Sequence, residues 1–366
     1  MNNLKIKLSV IMLASIFFSC RKEKGIINEE VTKVPNQITA INGLYILNEG
    51  NFGSNKASLD YYDYANGIYR KNIYEQANPS VTLGLGDAAN DIKIYGSRLY
   101  IVVNGSNKVE ILDVKTAKKI GQVDVPNCRY ISFYKNNAYV TAYAGYVAVI
   151  DTAALAVKTQ IAVGQQPEEM AIVGSKLYVA NSGGYNYPNY EHTVSVIDLN
   201  TNTELKRIDV DVNLHHLKAD QYGDIYVTSR GNYANIPSNL YVIDTKTDAV
   251  KKKFNITASD ICIDKDFAYI YSVEWSSITS SNVVSYTKIN IKDETIIPSN
   301  FITDGTEKEI EIPYGLAIDP LSSDIYVTDA KDYVTPGTLY CFDKYGKKKF
   351  SVTTGDIPGH FAFYTK

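Results

Sequence analysis

A closed all-β ring is the fold class this sequence predicts: a seven-bladed β-propeller of four-stranded blades. Three observations predict it. A strand built around tyrosine recurs seven times, as LYIL (Tyr45), LYIVV (Tyr100), AYVT (Tyr139), LYVA (Tyr178), IYVT (Tyr226), AYIY (Tyr269) and IYVT (Tyr326), at intervals of 39 to 57 residues. A second strand follows each of these, usually ending in aspartate. A third short strand precedes six of the seven, and its seventh copy stands alone at the extreme C-terminus.

The chain begins MNNLKIKLSVIMLASIFFSC, with a lysine-bearing head, an apolar stretch from Leu8 to Phe18 and a small residue before Cys20. That is a secretion signal, too short to span a bilayer. Ser19 and Cys20 resemble the lipobox of bacterial lipoproteins, which implies that Cys20 is acylated and anchors the mature chain to a membrane. Residues 1–19 are therefore read as a signal peptide, and 20–40, polar and without strand alternation, as the acylated cysteine and a flexible tether. The propeller occupies 41–366.

Within the propeller, the tyrosine strands carry aromatic rings suited to a pleated surface, with the hydroxyl expected near water. Composition agrees: 30 tyrosines stand against 11 phenylalanines and one tryptophan. The second strands run LDYYD to Asp63, EILD to Asp113, AVID to Asp151, SVID to Asp198, YVID to Asp244 and YCFD to Asp343, while the sixth copy ends at Asn290. Aspartate before lysine, threonine or asparagine is turn chemistry, so these carboxylates are structural. The third strands are DIKIYG, YISFYKN, EMAIVG, HLKADQYG, DICIDKD, GLAIDP and, terminally, HFAFYTK. Their offset order requires that 358–366 complete the blade begun near residue 43, because an open stack would leave two edges unpaired.

The formal net charge is −3, and no basic run exceeds the three lysines at 251–253, which argues against a nucleic-acid partner. Cys128, Cys262 and Cys341 show no CxxC spacing and are expected to be small buried apolar residues. The GxSxG, HExxH and P-loop motifs are missing, and GLGDAA at 84–89 precedes no helical pattern.

Naming the strands of a blade A to D from the axis outward places the B–C loops and the D–A connections on one face. The B–C loops 48–57, 181–193, 229–239, 272–281 and 329–337 are long, and each carries an aromatic residue: Phe52; Tyr185, Tyr187 and Tyr190; Tyr233; Trp275; Tyr333. The loop 229–239 also contributes Arg230. Loops held by a rigid scaffold are where binding concentrates, and aromatics offer contact area with few rotors to freeze. The first residues of the A strands fall at the axial mouth of the same face: Asp91, Tyr130, Glu169, His216, Asp260, Gly315 and His360, beside Asn90, Arg129, Glu168, His215, Ser259 and Tyr314. Alternation along a strand implies that only one of His215 and His216 reaches this mouth.

The cadence LYVAN…VSVID resembles the YVTN-type repeats of the YncE-like propellers over residues 40–366. Together with Cys20, the tyrosine excess and the ending DIYVTDAKDYVTPGTLYCFDKYGKKKF, it is similar to the BtuG-type surface lipoproteins of gut Bacteroidetes. The resemblance implies capture of vitamin B12 without an enzymatic step, no required cofactor, a lipid anchor in the outer membrane facing the exterior, and delivery to a TonB-dependent transporter. Acids, imidazoles and phenols at the mouth suit a ligand rich in amides and carrying one phosphate, as a corrinoid does. His216 is read as a hydrogen-bonding wall of the mouth in preference to a cobalt ligand, and no metal site is expected. Two other functions stay open on the residues alone: a lactonase or lyase using Asp91, Glu169 and Asp260 on a metal, and an interaction scaffold using the tyrosine-rich face.

Overall fold

A computed structural model describes residues 30–365 apart from 38 and 277, so residues 1–19, read above as a signal peptide, and Cys20 lie outside the described residues. Seven antiparallel sheets stand in a ring, each of four strands in the order A to D, the first with one strand more. The C-terminal strand Pro358–Thr365 is strand A of the first blade, pairing antiparallel with Ile41–Asn48 through Leu44 with Phe363 and Tyr45 with Ala362. The strands Ile41–Asn48 and Pro358–Thr365 thus meet within one blade, as the offset strand order required.

The seven strand-B tyrosines are buried, and their hydroxyls are not near water as expected from composition. Four of them cross to the C–D turn of the next blade, whereas the Tyr226 hydroxyl is buried without a partner among the described residues. Tyr45 donates to the carbonyl of Val114, Tyr139 to Asn202 Oδ1 at 2.9 Å and Tyr178 to Asp248 Oδ1 at 2.6 Å, while Tyr326 lies 2.8 Å from the hydroxyl of Tyr64 in the first blade. At these four positions phenylalanine would fill the same space but leave the turn groups without a partner, which accounts for tyrosine there. The turn aspartates act as predicted: Asp113 Oδ1 accepts from the amides of Lys115 and Thr116, and Asp151 Oδ1 from those of Ala153 and Ala154.

Three expectations are corrected. Val31–Lys33, read as tether, is a fifth strand on the outer edge of the first blade, paired with Ile68–Arg70; its side chains are exposed, so no apolar alternation marked it in the sequence. The loop 272–281 is instead the tip of a long hairpin, because the strands Phe267–Ser276 and Ser281–Asn290 run on past the sheet and pair Trp275 with Asn282. Cys262 is half-buried, whereas Cys128 and Cys341 are buried as expected.

Strand A is irregular where it meets the mouth. In six blades its pairing with strand B shifts register there. In the third, fourth and fifth blades two residues oppose one: Arg129 and Tyr130, Glu168 and Glu169, His215 and His216. This is a β-bulge, which re-aims side chains and frees an amide. Strand B supplies the acceptor: Thr141 Oγ1 takes the Tyr130 amide at 3.0 Å, Thr228 Oγ1 that of His216 at 2.9 Å and Thr328 Oγ1 that of Gly315 at 2.8 Å.

Candidate ligand-binding cavity at the looped face

The bulged ends of the A strands and the bases of the B–C loops enclose a cavity of about 960 Å³ that opens on the looped face and runs into the axial channel. Of the residues singled out in the sequence, Asn90, Asp91, Arg129, Tyr130, Glu169 and His216 line its floor. Arg230, Tyr233, Trp275, Tyr314, Tyr333 and His360 complete the wall.

Five predicted residues lie outside this lining. Glu168 is buried directly behind it. Phe52 stands exposed on the loop 48–57, and Tyr185 and Tyr187 are exposed on 181–193. The tyrosines of that loop continue the wall outward instead: Tyr187, Tyr190 and Tyr233 meet edge to face at 6.1 and 6.2 Å between ring centroids, and Tyr185 packs edge-on against Tyr143 at 5.1 Å.

Both histidines of the adjacent pair face the cavity, contrary to simple alternation, because the bulge between Leu214 and Leu217 cancels the pleat there. Their rings lie 3.7 Å apart. His215 Nε2 is 2.9 Å from the Tyr130 hydroxyl, and burial, reinforced by the charge of Arg230, holds its pKa well down, so the ring is neutral. His216 Nδ1 is 2.8 Å from Glu169 Oε2, and its Nε2 is 3.6 Å from Asp260.

Glu169 also pairs with Lys218. Burial alone pushes this carboxyl up, but the Lys218 charge and the His216 hydrogen bond outweigh it and hold it below the usual carboxylate range. Burial likewise pushes the Lys218 ammonium down, and Glu169 and Asp260 more than restore it. Across the mouth, Glu49 accepts from the Tyr314 hydroxyl at 3.0 Å and bonds His360 Nε2 at 2.8 Å. Asp91 Oδ1 pairs with Lys93 at 3.1 Å while Oδ2 accepts the Ile131 amide at 3.0 Å, tying the second blade to the third.

The wall between the third and fifth blades carries Arg129 and Arg230, which converge on Glu168. Arg129 Nε is 3.0 Å from Oε2, Arg230 Nη1 is 3.2 Å from Oε1, and the Tyr143 hydroxyl donates to Oε1 at 2.5 Å. Burial pushes the Glu168 carboxyl up, and the two guanidiniums reverse this and keep it ionised. Among the described residues no three His, Cys, Asp or Glu side chains come together in a metal-binding arrangement.

The family described as Domain of unknown function (DUF5074) matches residues 42–363, nearly the whole ring. The chain belongs to the DUF5074 family. No curated protein matches it. Among solved structures, this DUF5074 propeller is similar to a quinoprotein alcohol dehydrogenase-like protein from Bacteroides thetaiotaomicron, 17% identical with a TM-score of 0.65 over 89% of this chain and 79% of that one. Hydrazine synthase of Kuenenia stuttgartiensis is also 17% identical, with a TM-score of 0.59 over 70% and 76%. The computationally designed protein Ika8 is 10% identical, with a TM-score of 0.54 over 89% and 92%. At these identities the likeness is one of fold.

Several lining residues of the DUF5074 propeller were missed from the sequence. Lys93, Lys218 and Cys262 sit two positions after Asp91, His216 and Asp260, and strand alternation turns them into the same channel. Glu49 follows the end of its strand B as Arg230 follows Ser229, so one register delivers both, and the inclusion of Arg230 was itself the signal for Glu49.

Proposed function

We propose that this DUF5074 propeller is a non-enzymatic capture protein that binds a corrinoid at its looped face and passes it to a TonB-dependent transporter, held at the outer membrane by lipid on Cys20. The observation that carries the reading is the open cavity of about 960 Å³ with a mixed polar floor and an aromatic rim. Small-molecule sites span about 300–1,000 Å³, so this one suits a large ligand. Trp275 and Tyr233 stand at its edge with 68% and 71% of their surfaces exposed, ready to cover a flat macrocycle and release its water. A rigid ligand on a rigid ring loses little conformational freedom on binding, so tight capture needs no covalent step.

The floor fits amides. Lys93, Arg129, Lys218 and Arg230 donate, Glu49, Asp91 and Asp260 accept, and the buried Asn90 Oδ1 has no protein partner. Five acids and four lysines or arginines line the cavity, so neither sign dominates, which favours a ligand of low net charge over a polyanion. BtuG-type lipoproteins share the YVTN-type cadence and the Cys20 context, which supports the same role here. Calorimetric titration of the full-length protein with cyanocobalamin tests the proposal. Saturable binding with a red complex is expected, and the absence of binding heat together with a colourless protein would end it.

A further inference from the structure

We propose that Arg129 and Arg230 form an oxyanion subsite in this cavity, taking a phosphate or carboxylate group carried by the ligand. The proposal rests on the cavity being the ligand site but not on the ligand being a corrinoid.

One buried carboxylate is neutralised by one guanidinium, yet Glu168 has two. The cluster keeps one positive charge in excess, because the carboxyl stays ionised. Hydrogen bonding tells the same story. Each guanidinium has five N–H donors in a fork matched to oxyanions, and each spends one of them on Glu168. Tyr143 already donates to Oε1, so Glu168 has little capacity left to engage the remaining donors.

The plane of Arg129 is fixed by the Tyr143 ring, whose centroid lies 4.8 Å from the guanidinium carbon. Arg230 retains 26% of its side-chain surface, and both residues line the cavity. The nearby acids are engaged elsewhere: Glu169 with Lys218 and His216, Glu49 with Tyr314 and His360. The excess charge is also felt locally, since Arg230 contributes, after burial, to keeping His215 neutral. Two forks with unspent donors, that of Arg129 fixed in plane and both held to a shared carboxylate, make a site for a third, external oxyanion.

The test uses the full-length protein, its Arg230→Gln and Arg129→Gln variants, and Arg230→Lys as a charge-keeping control. Inorganic phosphate is followed by the width of its phosphorus resonance at constant ionic strength. Broadening by the wild type that falls away in Arg230→Gln supports the subsite; equal width with wild type and with both glutamine variants overturns it. Displacement of phosphate by acetate assigns the site to oxyanions at large, and failure of acetate to displace it confines the site to phosphate.

The same proteins are titrated with cyanocobalamin, whose nucleotide loop carries a phosphodiester, and with dicyanocobinamide, which lacks that loop. Losing one charge-assisted contact should weaken cyanocobalamin about tenfold or more and leave dicyanocobinamide nearly unchanged. Should neither corrinoid bind the wild type while phosphate is still broadened by it, the corrinoid reading fails and the subsite stands.

Discussion

Replacing Glu168 by glutamine removes the charge on which Arg129 and Arg230 converge and keeps the shape. Glutamine can accept from one guanidinium through its carbonyl oxygen, but its amide nitrogen turns a donor toward the other. Breaking a buried ion pair by deleting one partner costs about 3–5 kcal/mol. Both arginines keep some access to cavity water, with side-chain exposures of 15% and 26%, so the loss should sit near 3 kcal/mol. A domain of about 330 residues unfolds with an entropy of roughly 0.7 kcal/mol/K near 60 °C, so Tm should fall by about 4 °C at neutral pH. The carboxyl of Glu168 is lowered in the folded state; burial raises it and the two guanidiniums overcome that. Its contribution is therefore complete above the unfolded value of about 4.3 and disappears as pH falls through the folded one. Calorimetric melts from pH 7 to pH 3 should show the wild type and variant converging on the acid side. A variant that melts with the wild type at pH 7, or a gap that stays constant with pH, would refute the assignment of Glu168 as the charge holding both arginines.

Deleting residues 358–366 removes strand A of the first blade and exposes Ile41–Asn48, so the truncated chain should aggregate or melt far below the wild type; an unchanged melt would contradict the closure. Trp275→Ala should leave Tm unchanged, because the indole is 68% exposed, yet weaken cyanocobalamin by about 2 kcal/mol, roughly thirtyfold, in a calorimetric titration. In the wild type, Trp275 emission should quench as the corrin settles, and saturable binding without any change in emission would place the ligand elsewhere. Cys20→Ala should shift the protein from the detergent phase to the aqueous phase on partitioning, and persistence in detergent would count against acylation.

The sequence made the ring legible because a propeller repeats: the tyrosine of strand B and the aspartate after strand C recur seven and six times, and a missing partner at each end required closure. What it hid were features that change direction without changing composition. A bulge at 214–217 adds no telltale residue, so alternation admitted only one of His215 and His216 to the mouth when both histidines face it. Trp275 reads as a loop residue because serines and threonines surround it, yet hairpin pairing carries the strands ten residues each. Val31–Lys33 buries no side chain, so its pairing is visible only in the backbone. The site was half legible: the mouth positions came from the repeat register, but the sharing of Glu168 by arginines from two blades depends on distances across the ring that no local pattern encodes.

The threonines that receive the freed amides have a consequence for how such a ring can change. Because Thr141, Thr228 and Thr328 satisfy the backbone at the distortion, the consecutive side chains displayed there are uncoupled from the pleat that builds the blade interior. In the third and fifth blades the distortion so satisfied presents a dipeptide, Arg129 with Tyr130 and His215 with His216, whose replacement need not disturb the apolar residues that follow; the fourth presents Glu168 with Glu169 opposite Ala180, which offers no such acceptor. The mouth is in that sense a set of two-letter words written on a fixed frame, which change together because Glu168 holds Arg129 and Glu169 holds His216. A redesign for another ligand would edit those words and leave the tyrosine stitching between blades untouched.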